Sequence, residues 1–275
     1  MIHPQDKLAS LRKWQLRRDD ETDPNGRVYW DDDGQCYHSI TRILGATSTE
    51  ASKKALESWL ARPGAEQERD SAAKRGTYAH SSCEYLLKTG RKLAIQAANK
   101  RGLWKPGKDG LERAPASLTR WGLERAVEGA PRVNWSAAGF ARGLRSWIVS
   151  NVDAIHAVEF SILHPAGFAG TADALLDVAG TCFEDGKRRL CIVDWKTSNR
   201  HRSEEMLVNY CAQAGAYAAG LRHCTSIQAE GAVIVVARRT GAPQVRVLDG
   251  MELMQAEESF MNRCADYFLN LTLER

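Results

Sequence analysis

Two hydrophobic periods alternate along this chain. Apolar residues at helical intervals, Ile43, Leu44, Leu56, Trp59 and Leu60, predict a helix opened by Ser39 and Thr41 and broken by Pro63-Gly64. A second helix is predicted from about 66 to 88, with Gly90 as its C-terminal stop. Helical spacing returns over 117–128 and 136–151, where Phe140, Leu144, Trp147 and Ile148 form one core stripe, and again over 204–221 and 252–269. Between these lie short apolar runs bounded by Gly and charge, at 155–163, 172–178, 190–195, 231–237 and 244–248; each predicts a strand. Near the start, residues 28–30 and 36–38 flank Asp31-Asp32-Asp33-Gly34 and predict a small hairpin. Three aspartates beside a glycine read as a solvated turn rather than a metal cluster. Asp23-Pro24-Asn25-Gly26 predicts a further turn. The order α–β–β–β–α–β implies an α/β fold, a mixed sheet with helices on its faces. Residues 1–35 read as an arm with the hairpin, and 36–275 as one domain. Residues 91–116, rich in Lys, Arg, Gly and Pro, read as an irregular basic insertion.

The strands at 172–178 and 190–195 are joined across Glu184-Asp185-Gly186-Lys187, a turn signal. An antiparallel hairpin folded at 183–184 sets Asp173 beside Asp194. Alternation along the strand puts Asp194 and Lys196 on one face and Trp195 on the other. Two carboxylates and an ammonium then meet at one spot. A bare carboxylate pair repels itself, and a hard divalent cation with oxygen ligands relieves that repulsion. His80 and Glu84, four apart on one helix, share a face. They follow Lys74-Arg75-Gly76-Thr77, which could offer cations and backbone amides to a phosphate. Glu84 serves equally well as a partner for Lys88. Gln213 and Tyr217 repeat the i, i+4 spacing on a later helix. Glu159, on the strand before the hairpin, is the weakest candidate, an acid that could simply face solvent.

Composition narrows the class without choosing a chemistry. The 275 residues are 43% hydrophobic and 26% charged, with a net charge of +4, as in an ordinary globular protein able to meet a polyanion. No apolar run approaches the roughly 20 residues of a membrane span. The first residues lack the apolar core of a secretory signal, and acidic residues arrive too early for a transit peptide. Seven scattered cysteines without a CxxC pair argue against a disulfide framework, a zinc ribbon or a cysteine-ligated iron–sulfur cluster, and suit a reducing cytoplasm. No GxxxxGK[ST] motif signals an ATP-driven motor.

Four motifs in order, RGTYAHSSCE (75–84), GTAD (170–173), VDWKTS (193–198) and QAGAY (213–217), resemble the RecB-like branch of the PD-(D/E)XK nucleases. That branch includes mitochondrial genome maintenance exonuclease, archaeo-bacterial adaptation nucleases and many phage exonucleases. Residues 37–44 also look like the N-terminal segment of phage members, so the resemblance spans about 37–237. It implies a restriction-endonuclease-like core with N-terminal helical additions. It implies His80, Asp173, Asp194 and the Trp195 carbonyl as ligands of Mg²⁺ or Mn²⁺, and Lys196 as the catalytic lysine. Asp173 and Asp194 join it in the catalytic set, with Glu84 beside them. Gln213 and Tyr217 are the family's Q-x-x-x-Y pair by the site and DNA. Arg75, Thr77, Thr197, Ser198 and Arg200 complete the expected DNA contacts, with Arg202 close behind. The cysteine cluster of iron–sulfur members is absent, so that cofactor is not expected.

Phosphodiester hydrolysis needs an activated water, a Lewis acid on the phosphoryl oxygen and stabilisation of added negative charge. The expectation is therefore a Mg²⁺- or Mn²⁺-dependent deoxyribonuclease working without a covalent intermediate, most simply an exonuclease at DNA ends in recombination, replication or repair. A flap- or branch-cutting endonuclease and a catalytically silent DNA-binding module are the competing readings. Without a motor, such a chain degrades distributively, joins a partner such as a single-strand annealing or binding protein, or encircles DNA as an oligomer. A bacterial or phage-infected cytoplasm is the expected setting.

Overall fold

Asp173 and Asp194 owe their meeting to strand register. In the computed structural model, which describes residues 17–19, 27–107 and 111–273, β7 (Phe168–Val178) pairs antiparallel with β8 (Arg189–Thr197). Ala174 stands opposite Val193 and Asp177 opposite Leu190. One further step of the same register sets Asp173 opposite Asp194, as the hairpin midpoint predicts. β6 (Val152–His164) fills the other edge of β7 from end to end. β3 (Cys36–Ser39) runs parallel to β7 but pairs only with Phe168 and Ala169. Since β6 occupies one edge, β3 and β8 share the other, and they leave residues 170–173 between them without a strand partner there. The site opens in that gap.

The rest of the sheet extends both ways. β1 (Arg17–Asp19) and β2 (Val28–Trp30) join through β3, while β9 (Gly231–Ala237) lies parallel to β8 and β10 (Gln244–Leu248) closes the edge. The turn expected at residues 23–26 lies outside the described residues, as do residues 1–16. At residues 31–34 the solvated turn forms, with Asp31 Oδ1 accepting from the Asp33 and Gln35 amides. Helices cover both faces, giving the mixed α/β architecture. On one face α1 (Ile40–Ala46), α6 (Glu204–Thr225) and α7 (Gly250–Leu273) pack on Phe168, Leu175 and Ile192. On the other, α3 (Ala65–Lys100), α4 (Ala116–Glu128) and α5 (Ala138–Asn151) bury the Phe140/Leu144/Trp147/Ile148 stripe against Val193, Trp195 and Val235. The Trp147 and Trp195 rings meet edge to face at 5.8 Å.

Three sequence expectations are corrected. The helix expected from residue 39 to Pro63 is two, α1 and α2 (Glu50–Leu60), because Thr49 caps a new start by accepting from the Ser52 amide. Helix α3 does not stop at Gly90. Gly90 is there for close approach: a methyl at Gly90 would lie 2.7 Å from Leu123 Cδ2, and one at Gly122 of α4 would lie 2.5 Å from the Gly90 carbonyl oxygen. Gly122→Ala is therefore expected to lower unfolding stability by about 1–3 kcal/mol, since rigid backbone, not a side-chain tip, must yield. A denaturant midpoint equal to wild type would contradict this packing.

The basic segment 91–116 is likewise no loose loop. Its first ten residues continue α3, β4 (Lys105–Pro106) pairs antiparallel with β5 (Glu112–Arg113), and residues 108–110 lie outside the described residues. Arg113 ties that hairpin to the sheet, with Nε 2.5 Å from Oδ2 of the buried Asp177 and Nη2 3.2 Å from Oδ1. His156 Nε2 approaches the same carboxylate at 2.9 Å, and Arg188 Nε at 3.5 Å.

Candidate active site

α3 carries His80 over the gap in the sheet, where His80 Nδ1 lies 3.3 Å from Asp173 Oδ1. The other Asp173 oxygen accepts the Trp195 backbone N–H at 2.7 Å, which locks β7 to β8 beyond their last ladder pair. Glu159 enters from β6. Its neighbours Val158 and Phe160 pair with Ala174 and Ala172, so Glu159 stands across from Asp173. It holds φ at +51°, a value side-chain-bearing residues seldom adopt, at a cost on the order of 1–3 kcal/mol. Ligand atoms of His80, Glu159 and Asp173 all lie within 4.8 Å of one another. Asp194 stands beside this group rather than in it, its Oδ2 2.6 Å from Lys196 Nζ. That ion pair satisfies the buried Asp194 Oδ2. Lys196 also lies over the Tyr210 ring, 5.1 Å from its centroid.

Burial and crowding set the charge states. Burial pushes Glu159 up and repulsion from Asp173 adds to it, raising its pKa to about 7. Asp194 is raised by burial too, beyond what Lys196 restores. Burial also pushes Asp173 up, but the His80 imidazole, Lys196 and the Trp195 amide outweigh it and hold the carboxyl below the usual range. For His80, burial lowers and Asp173 more than reverses the effect, leaving the imidazole raised. Burial disfavours the Lys196 ammonium, yet Asp194 and Asp173 together raise it, so it keeps its proton.

The remaining expected residues divide. Gln213 donates to Tyr217 Oη at 2.8 Å, and both are buried beside the acids rather than on an open surface. Gly170, the glycine of GTAD, lets Tyr217 close in; a Cβ there would meet the ring at 3.1 Å and Ile40 at 2.9 Å. Glu84 is bound to Lys88 at 2.5 Å and lies outside the three-residue group, so its partner reading is the one the geometry favours. Arg75 and Thr77 lie in the interior of α3, where backbone amides are consumed by the helix; the expectation that this run offers amides to a phosphate is corrected. Gly76 does bring α3 alongside Thr197, 3.7 Å from a Cβ placed there. Ser198 is buried, accepting from the Arg200 amide, while Arg200 itself is exposed.

The sequence model of the PD-(D/E)XK nuclease superfamily matches residues 11–271. The chain belongs to that superfamily. As members hydrolyse nucleic acid with divalent metal ions, the crowded acids acquire a reason. No curated protein matches this nuclease. Among solved structures, it is similar to an exonuclease candidate from Eubacterium rectale, at 13% identity over 69% of this chain and 82% of that one, with a TM-score of 0.35.

The donor set fits a cation. One imidazole and two carboxylates converge within ligand reach, and a third carboxylate, Asp194, is buried beside them on Lys196. Sequence reasoning undervalued Glu159 because its position across from Asp173 is set by the β6–β7 register, which no period in the sequence announces. A glutamate on the strand before a metal-site hairpin was the only signal. No helix among the described residues is long and apolar enough to cross a membrane.

Proposed function

We propose that this nuclease is a Mg²⁺- or Mn²⁺-dependent DNA exonuclease of the RecB-like branch that hydrolyses phosphodiesters at strand ends. The observation that carries the reading is the convergence of His80, Glu159 and Asp173 beside the Asp194–Lys196 pair. In this reading His80, Glu159, Asp173 and Asp194, with the Trp195 carbonyl, hold the cation. When bound, the cation supplies a Lewis acid for the phosphoryl oxygen and lowers the pKa of the attacking water. Lys196 stays protonated and neutralises charge that builds on the phosphate. Gln213 and Tyr217 stiffen the floor beneath the acids; Thr197 and Arg200 meet the DNA backbone. The end-dependent reading is supported by the recessed acids. Asp173 is 8% exposed and Asp194 2%, so a strand end reaches them more readily than an unbroken duplex.

The test is incubation with Mn²⁺ or Mg²⁺ and three DNAs: end-labelled linear duplex, linear single strand and covalently closed circle. Loss of linear DNA with intact circles is expected. Cut or nicked circles would replace this reading with the endonuclease one, and absence of any metal-dependent product would leave a binding module.

A further inference from the structure

A second charged concavity lies away from the acids. α4, α5 and the 129–137 connection enclose a groove of about 610 Å³, within the roughly 300–1,000 Å³ of small-ligand sites. Its walls are apolar, among them Val127, Pro131 and Val149, and its charged lining is Arg132, Arg142 and Arg145 against the single acid Glu124. None of the three arginines has a carboxylate partner among the described residues. Arg145 instead donates to Ser82 Oγ at 2.6 Å and to the Pro131 carbonyl. Uncompensated guanidinium groups over an apolar wall suit a ligand with phosphate on one side and a flat apolar body on the other. In the same connection Trp135 is 80% exposed, held on a turn in which Asn134 Oδ1 accepts from the Ser136 amide and hydroxyl. A tryptophan so bare presents its ring face to solvent.

One lining residue is tied to the helix that carries His80. Ser82, which anchors Arg145, lies two residues beyond His80 on α3. Gly139, beside the lining residue Ala138, backs onto the Arg239 carbonyl, 2.0 Å from where a Cβ would sit, just past the end of β9. β9 in turn holds the end of β8, through the Ser198 amide and Ala237 carbonyl at 2.9 Å.

We infer that this groove seats a nucleotide of single-stranded DNA outside the cleavage site, its phosphates on Arg132, Arg142 and Arg145 and a neighbouring base stacked on Trp135. The inference rests on the DNA-cleaving reading above. Single-stranded rather than duplex DNA is the occupant, because only unpaired bases offer their faces to an aromatic side chain.

Binding of a fluorescein-labelled oligothymidylate, followed by anisotropy with EDTA present, tests it in the full chain. Arg132→Ala/Arg142→Ala should weaken binding about tenfold or more and cut the slope of log K against log salt by roughly 1.4, two phosphate contacts' worth for a single strand. Trp135→Ala should weaken it about fivefold or more, whereas Trp135→Phe should retain most of it. Circular dichroism melts matching wild type establish that these variants fold. Unchanged affinity and salt slope, in a wild-type protein that does cleave DNA, would overturn the groove assignment alone. A wild-type protein that neither binds nor cleaves DNA would overturn both readings. Conversion of a wild-type dimer to monomer by the double substitution, with DNA affinity intact, would hand the groove to a second copy of the chain and overturn the inference.

Discussion

Purified Asp173→Asn protein is expected to degrade end-labelled DNA about 10³-fold more slowly than wild type or worse, a loss near 4 kcal/mol of transition-state stabilisation. Its fold should survive. Asparagine still accepts the Trp195 amide, and relief of Glu159 and Asp194 offsets part of the lost attraction to His80 and Lys196. A native circular dichroism spectrum with a melting temperature modestly below that of wild type, without cation, is the expected companion result, since the depressed Asp173 pKa marks a charge that stabilises the fold. Asp194→Ala is a poorer probe. The Asp194 side chain is only 3% exposed, and the change strands a mostly enclosed Lys196 ammonium. The companion variant Glu159→Gln should weaken Mn²⁺ binding, measured by calorimetry without DNA, by about tenfold or more, at least the effect of losing an outer-shell partner. Wild-type rates in Asp173→Asn, or wild-type Mn²⁺ affinity in Glu159→Gln, would remove that residue from the site.

The largest effect on stability is expected at Asp177. Asp177→Ala leaves Arg113 and His156 facing an uncompensated pocket, and unfolding free energy should fall by about 3–5 kcal/mol. For a chain of this size that corresponds to a melting point lower by roughly 6–20 °C. The same carboxylate predicts an acid response. Burial pushes the Asp177 pKa up, but hydrogen bonds from His156 and Arg113 outweigh it and hold the group far below the usual range. A depressed folded pKa stabilises the native state above the unfolded value near 4 and loses that contribution as pH falls further. In Asp177→Asn this share of the pH dependence should vanish, so denaturant midpoints measured from pH 6 down to 3 should fall less steeply than in wild type. Parallel pH profiles would show that the cluster is not what couples protonation to folding.

Much of this molecule is legible along the chain. Alternation and Gly-bounded apolar runs mark every strand from β6 to β10, and the register that sets Asp173 opposite Asp194, one step beyond the last ladder pair, follows from the turn between them. The Phe140–Ile148 stripe is core, as helical spacing implies. Two of the misreadings share one cause: the residue's role depends on an element distant in sequence. Gly90 resembles a helix stop until α4 is laid across it with Gly122 at the crossing. Arg113 resembles a solvated loop cation until Asp177 arrives from another strand, 64 residues on.

The sequence by itself therefore determined the central hairpin and its Asp–Asp–Lys set, because side-chain alternation and a turn's midpoint are properties of neighbours along one strand. Tertiary structure alone decided that Glu159 joins His80 and Asp173, that Asp194 turns to Lys196, and that three arginines line one groove without a carboxylate partner among the described residues. Those outcomes follow from which charges share a low-dielectric space, and only chain segments brought together by packing can share it.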